Sequence, residues 1–248
     1  MKLDAFFREY PKVAIAFSGG VDSAYLLYEA KRHAKQVRAY YVKSVFQPQF
    51  ELKDAVRLAE ELGIFMRILP VDVLSCDAIA ANSADRCYHC KKRIFEAIGK
   101  AAEEDNFSVL LDGTNASDDA SDRPGMRAIQ ELSVLSPLRE CGLEKGEIRI
   151  RSEKAGLFTW NKPAYACLAT RIPTGEPITQ EKLQSTEAAE DYLFSLGFTN
   201  FRVRRMGNAA RLQVPATQVE KVTRNRERIM KELKQYYSAV LLDLEVRE

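Results

Sequence analysis

Residues 13–23 read VAIAFSGGVDS, and they decide the architecture. Val13 to Phe17 is a short apolar run rich in strand formers. Ser18-Gly19-Gly20-Val21-Asp22-Ser23 is a loop of small residues, and AYLLYEAKRHAK, residues 24–35, reads as a helix. A strand that feeds a glycine loop opening a helix brings backbone N–H groups to one point. The helix start adds roughly half a positive charge there, so phosphate is the natural guest. The loop lacks the Lys-Ser/Thr ending of a Walker A loop and does not fit GxGxxG. Ser18 and Ser23 offer hydroxyls instead, and Asp22 offers a carboxylate to hold the loop or a Mg2+ ion bridging phosphates.

Outward from this loop the pattern repeats. Val37 to Val42 is a second strand, followed through Pro48 by the helix ELKDAVRLAEELG, with Gly63 as its C-cap, and Phe65 to Leu69 is a third strand. A partly polar helical stretch follows Pro70. The helix CYHCKKRIFEAIGKAAEE comes next, and then a strand at Val109 to Leu111 that ends in Asp112-Gly113-Thr114-Asn115. Strands alternating with helices predict a parallel sheet with ligands at the carboxyl ends of its strands, where the glycine loop and the DGTN turn both fall. Ser117 to Pro177 reads as long loops with short helices, including GEIRIRSEKAG. From Thr179, a predicted N-cap, Leu183, Thr186, Ala189, Leu193 and Leu196 recur at helical spacing up to Gly197. Phe201–Arg205 and Ala210–Val214 alternate around Gly207-Asn208 as a hairpin, Pro215 opens another helix, and Ala239–Val246 is a last strand. The expected division is an α/β domain over residues 1–176 and a small α+β domain over 177–248.

The chain has 248 residues, 46% hydrophobic and 29% charged, with a formal net charge of +2. This is the balance of a globular protein with its own core, without the global basic field that draws in nucleic acid. Neither a membrane-length apolar run nor a signal-type N-terminus is expected, which predicts a cytoplasmic protein. In that compartment the five cysteines point to free thiols, metal or redox chemistry. Cys87 and Cys90 form a CxxC in DRCYHCKKRIF. Cys167 lies in the proline-flanked KPAYACLATRIPTGEP and is the candidate third ligand. Three thiolates suit Zn2+, with His89 as a fourth ligand, or an iron-sulfur cluster with one iron open. Cys76 and Cys141 read as small buried residues. Arg202 and Arg204, two apart on a predicted strand, share a face and could clamp an anion. Lys91 and Arg171 are further candidate cations.

The SGGVDS loop resembles the PP-loop of the N-type ATP pyrophosphatases, which implies ATP, Mg2+, AMP and pyrophosphate. In order after it, DRCYHCK, LLDGTNASDDASDRPGMRA, SPLRECGL, WNKPAYACLATRIPTGEPIT and FRVRRMGNAARLQV resemble the LarE family of ATP-dependent pyridinium-3,5-biscarboxylic acid mononucleotide sulfurtransferases, over nearly the whole chain. The resemblance implies a Rossmann-like parallel sheet with a small C-terminal domain. The implied activity adenylates a carboxylate of a pyridinium mononucleotide and puts sulfur in its place, making a nickel-pincer nucleotide cofactor. It implies that Ser18, Gly19, Gly20, Asp22 and Ser23 bind pyrophosphate, that Ser44 belongs to an adenosine-side loop, and that Cys167 is the sulfur-bearing cysteine. With Cys87 and Cys90 before it, the chain resembles the members in which three cysteines hold a [4Fe-4S] cluster carrying an extra sulfide. Asp118 and Glu190 match acidic family positions and are candidate substrate contacts. Gln213 stands where the family shows an acidic residue, and Thr170 where it shows a serine. A small-molecule substrate, a sulfide donor and a homo-oligomer are the implied partners, with neither membrane nor nucleic acid expected. Two other readings stay open: a PP-loop tRNA thiolase, and a non-catalytic nucleotide-binding module with a structural zinc.

Overall fold

A computed structural model describes residues 2–118 and 124–247. Residues 119–123, within the LLDGTNASDDASDRPGMRA string, lie outside them. The chain forms two compact units, Met1–Val73 with Asp85–Lys162, and Leu74–Ala84 with Pro163–Glu248. In chain order the elements are α1 (Leu3–Glu9), β1 (Lys12–Ala16), α2 (Val21–His33), β2 (Gln36–Lys43), α3 (Gln49–Glu61), β3 (Met66–Pro70) and α4 (Asp77–Ala80). Then come α5 (Arg86–Glu104), β4 (Leu110–Leu111), α6 (Pro124–Glu131), α7 (Pro137–Glu140) and α8 (Lys145–Lys154). The last are α9 (Gln180–Ser195), β5 (Arg202–Met206), β6 (Ala209–Gln213), α10 (Val219–Arg224), α11 (Arg226–Leu233) and β7 (Ala239–Leu242).

In the first unit β3-β2-β1-β4 form a parallel sheet, the Rossmann-like α/β arrangement expected of the PP-loop type. The period of two along each strand sorts the core. Val13, Ile15 and Tyr41 face one cluster with α1 and α2, whereas Ala14, Tyr40 and Val42 face another with Ile98 of α5 and Phe107. The chain steps outward from β1 to β2 and β3, then returns to place β4 on β1's other side. That reversal makes the carboxyl ends of β1 and β4 the switch point of the sheet.

In the second unit β5 and β6 form the expected antiparallel hairpin, with Met206 opposite Ala209 across Gly207-Asn208, and β7 adds in parallel to β6. Ala189 and Leu193 of α9 pack with Phe198, Phe201, Val203, Leu212, Ile229 and Leu233. Thr179 caps α9, its side chain accepting the Lys182 N–H at 3.2 Å.

Three local expectations shift. β7 stops at Leu242 where a strand to Val246 was expected, because Asp243 turns its carboxylate to the Gln213 side chain and the Glu245 N–H. The stretch after Pro70 is helical only over the four residues of α4. The second unit takes in Leu74–Ala84 and begins again at Pro163, so the 176/177 boundary drawn from the sequence falls inside it. Buried Asn82 joins the two pieces. Its Nδ2 donates to the carbonyls of Pro173 at 2.8 Å and Glu176 at 3.1 Å, and its own carbonyl accepts the Gly175 N–H at 2.9 Å. Among the described residues, no helix is long and apolar enough to cross a membrane.

Candidate functional site

The glycine loop lies where β1 ends and α2 begins. Gly19 takes φ +73°, a left-handed conformation that favours glycine, and a Cβ there would meet the Ala55 Cβ at 3.2 Å. Ser18 and Ser23 face each other, Oγ to Oγ at 3.0 Å, and the Ser23 hydroxyl also reaches the Gly20 carbonyl at 3.2 Å. The DGTN turn packs directly on this loop. A Cβ on Gly113 would come within 2.9 Å of the Ser23 backbone nitrogen, so only glycine lets the two turns meet. Buried Asp112 ties the turn down, accepting from the Thr114 hydroxyl at 2.5 Å and the Ser136 hydroxyl at 2.6 Å. Asp118 closes the same loop by accepting the Asn115 N–H at 3.1 Å. After β2, buried Ser44 donates to Gln47 Oε1 at 2.6 Å and its Oγ accepts the Phe46 N–H at 3.1 Å.

Two lysines reach this loop from much later in the chain. Lys145 Nζ lies 2.5 Å from Asp22 Oδ2, and Lys162 Nζ lies 2.7 Å from Asp54 Oδ2 and 3.4 Å from the Gly19 carbonyl. Asp22 Oδ1 is buried and has no hydrogen-bond partner among the described residues. A carboxylate oxygen so placed at a phosphate-type loop has the donor chemistry of a Mg2+ ligand. The sequence reading did not single out either lysine, since their partners are more than a hundred residues away or on a different element. The signal for Lys162 was its place in the WNKPAYACLATRIPTGEPIT string.

On α5, Cys87 and Cys90 sit one turn apart. Cys87 is exposed and accepts from the Arg86 guanidinium at 3.4 Å, while Cys90 is half-buried. His89 packs edge-on against Tyr88. Lys91 runs along α6, where a Cβ on Gly125 would fall 2.7 Å from Lys91 Cδ. The CxxC thus supplies two thiols of the first unit, and Cys167 belongs to the second. Among the described residues, no three His, Cys, Asp or Glu side chains are grouped to hold a metal ion. Burial pushes the Cys141 thiol up, as suits a small packing residue.

The second unit gathers the remaining candidates around the Cys167 loop. Arg171, 1% exposed, forks its guanidinium onto Glu190, Nε to Oε1 at 2.8 Å and Nη2 to Oε2 at 3.0 Å. Its Nη1 donates to the Ala166 carbonyl at 2.8 Å and the Thr170 hydroxyl at 2.9 Å. Glu190 also accepts the Tyr165 hydroxyl at 2.5 Å and the Val203 N–H at 2.9 Å. Arg202 donates to the Ala164 carbonyl at 2.5 Å, and Arg204 to the Thr170 carbonyl at 2.9 Å. Arg171 thus ends the short 3-10 turn, Leu168–Arg171, that follows Cys167, Arg204 reaches that turn at Thr170, and Arg202 holds the chain just before Cys167 at Ala164. Arg171 was expected as a catalytic cation and Glu190 as a substrate contact; in this geometry they hold each other and the loop. The donors of Arg202 and Arg204 named here also go to the protein.

The charges are unequal. Burial lowers Arg171, but Glu190 outweighs it and the guanidinium ends above its ordinary value. Arg202 is pulled down to about 10, first by burial and then by the like charge of Arg171. Arg204 is lowered for the same reasons. Gln213, in the place of the family's acidic residue, accepts from Arg204 Nε at 2.5 Å and donates to Asp243 at 2.8 Å, which passes that arginine's contact on to a nearby carboxylate. Cations destabilised by burial and by one another are relieved by an incoming carboxylate or phosphate.

Comparison with known proteins agrees with both regions. The family model described as Queuosine biosynthesis protein QueC matches residues 12–95, which span the glycine loop and the CxxC. An uncharacterized protein of Synechocystis sp. is 37% identical over 88% of this chain and 82% of its own length. The pyridinium-3,5-bisthiocarboxylic acid mononucleotide synthase of Lactiplantibacillus plantarum is 32% identical over 98% of this chain and 89% of its own. A tRNA-specific 2-thiouridylase of Thermotoga sp. is 26% identical over 61% of this chain and 54% of its own. With the glycine loop, the CxxC and the Cys167 loop all inside the span shared with the Lactiplantibacillus enzyme, this chain belongs to the LarE-type family of pyridinium-3,5-bisthiocarboxylic acid mononucleotide synthases.

Proposed function

We propose that this protein is an ATP-dependent sulfurtransferase. It adenylates a carboxylate of pyridinium-3,5-biscarboxylic acid mononucleotide and replaces oxygen by sulfur, a step in making a nickel-pincer nucleotide cofactor. The observation that carries the reading is the Cys167 loop held by buried Arg202 and half-buried Arg204, two cations whose charge an anionic substrate would satisfy.

The glycine loop supplies backbone N–H groups and the Ser18 and Ser23 hydroxyls for the phosphates of ATP, with Asp22 as the Mg2+ ligand and Ser44 on the adenosine side. Mg2+ bound there would draw charge from the phosphate oxygens. The carboxylate oxygen attacks the α-phosphorus and pyrophosphate leaves. A sulfur nucleophile then attacks the activated carbonyl carbon and AMP leaves, carrying the original oxygen. Lys91 is the candidate cation for the developing oxyanion, and Asp118 orders the turn beside the loop. Cys87, Cys90 and Cys167 have the thiolate chemistry for a [4Fe-4S] cluster, which would present sulfide from a donor as that nucleophile. The protein acts in the cytoplasm, as a homo-oligomer.

The test measures AMP and pyrophosphate release by anaerobically prepared protein given ATP, sulfide and the pyridinium dicarboxylate mononucleotide. Parallel iron, zinc and acid-labile sulfide analyses compare wild type with Cys87→Ala. The reading expects substrate-dependent AMP release, and iron with sulfide that is lost in Cys87→Ala. Release of AMP with tRNA as the acceptor would replace the substrate, in line with the thiouridylase similarity. Zinc without acceptor-dependent AMP would replace the enzyme by a binding module.

A further inference from the structure

Strand β5 turns its arginines both ways. By the period of two, Arg202 and Arg204 share one face, while Arg205 goes with Val203 to the face covered by α9, beside Ala210 of β6. There Arg205 is only 9% exposed, and among the described residues no carboxylate pairs with it. Its Nη1 donates to the Ser185 hydroxyl at 3.1 Å, and its guanidinium lies 5.0 Å from the centre of the Tyr237 ring. Its Nε is buried and has no hydrogen-bond partner among the described residues. Neither neighbour supplies a countercharge. Ser185 is neutral, and burial raises the Tyr237 phenol above its ordinary value, so that it stays protonated beside the Thr186 hydroxyl at 3.2 Å.

Arg171 shows what the remaining edge of such a side chain can hold. The side of a guanidinium that carries Nε–H and Nη2–H in parallel matches two oxygens of a carboxylate or phosphate. In Arg171 that edge grips Glu190, at 2.8 and 3.0 Å. In Arg205, a residue of the same unit, it meets no acceptor among the described residues. A nearly buried cation without a countercharge is costly, and one oxyanion set on that edge lifts the cost.

We propose that Arg205 binds a small oxyanion, a phosphate or a carboxylate, through Nε–H and Nη2–H, next to Ser185 and Tyr237 on the α9 side of the small sheet. The site is separate from Arg202 and Arg204, which project from the other face of β5, and it does not depend on the sulfur-transfer reading. Arginine suits it better than lysine, which has no planar pair of donors.

The experiment titrates the full chain with inorganic phosphate and, separately, with acetate, at an ionic strength held constant with potassium chloride. Nuclear magnetic resonance follows the Arg205 Nε–H and the ring carbons of Tyr237, and Arg205→Gln and Arg205→Lys are titrated in parallel. The Nε–H signal, assigned by its loss in the variants, should move downfield and saturate with at least one of the two anions. Saturation by phosphate alone or acetate alone selects the source. In Arg205→Gln the Tyr237 shift should need roughly 10- to 100-fold more anion, the range for a hydrogen bond to a charged group, and Arg205→Lys should restore only part of the affinity. If Arg205→Gln fails to fold, the wild-type Nε–H titration decides alone. An Nε–H that stays still, or that drifts with chloride as much as with the oxyanions, overturns the site. Equal anion affinity at Tyr237 in wild type and Arg205→Gln overturns it as well, and each of these results leaves the proposed sulfur transfer intact.

Discussion

At the scale of single residues, the two sites depend on contacts with no spare room. Gly113→Ala would drive a methyl group to 2.9 Å from the Ser23 nitrogen and 3.0 Å from its Cα, both backbone atoms that cannot swing aside. Overpacking of this kind costs about 1–3 kcal/mol, and here the strain falls on the glycine loop. ATP affinity should drop about tenfold or more while far-ultraviolet circular dichroism stays unchanged, a comparison that calorimetry and spectroscopy can make. Glu190→Gln leaves Arg171 buried without its countercharge. Losing one partner of a buried pair costs about 3–5 kcal/mol, so urea unfolding should show a marked loss of stability even with no ligand present. If Glu190 were mainly a substrate contact, stability would hold and only binding would fall.

At the scale of elements, ends and junctions matter most. Thr179→Ala removes the hydroxyl that accepts the Lys182 N–H at the start of α9, and should lower stability by about 1 kcal/mol in equilibrium unfolding. In the first unit, Asp105 at the end of α5 joins two strands. It accepts from Arg38 at 2.8 Å and Tyr40 at 2.8 Å on β2, and from Arg67 at 3.2 Å on β3. The Arg38 contact, helped by Tyr40 and Arg67, holds its carboxyl down to about 2. The folded value lies below the unfolded 3.8, so the stabilisation is present above about pH 4 and is lost as pH falls through about 2. Unfolding curves measured between pH 6 and pH 2 should show this acid limb in wild type, and Asp105→Asn should flatten it.

At the scale of the whole molecule, the second unit is assembled from two separate stretches of chain. Asn82→Ala removes the donors that reach Pro173 and Glu176 across ninety residues of sequence. Hydrogen exchange at the Gly175 amide, which donates to the Asn82 carbonyl, should then quicken measurably. This join had no sequence signal. Leu74–Ala84 is short and polar, and its partners lie beyond the whole of α5 and α8, so neither periodicity nor turn chemistry points to them. Arg202 and Arg204 show the same limit in a different way. Their spacing placed them on one strand correctly, but the carbonyls of Ala164 and Thr170 that take up their donors come from a loop that spacing does not reach.

What the sequence determined by itself is local. The alternation of strand and helix, the strand-loop-helix of SGGVDS, the Thr179 cap and the Gly207-Asn208 hairpin each follow from neighbours within a few residues, where propensity and backbone geometry dominate. Tertiary structure alone decided which charges oppose one another: Lys145 on Asp22, Lys162 on Asp54, Arg171 on Glu190, and Arg204 passed through Gln213 to Asp243. The reason is that an ion pair or buried hydrogen bond is set by distance in space and by exclusion from water. Neither quantity is written along the chain until the elements have packed.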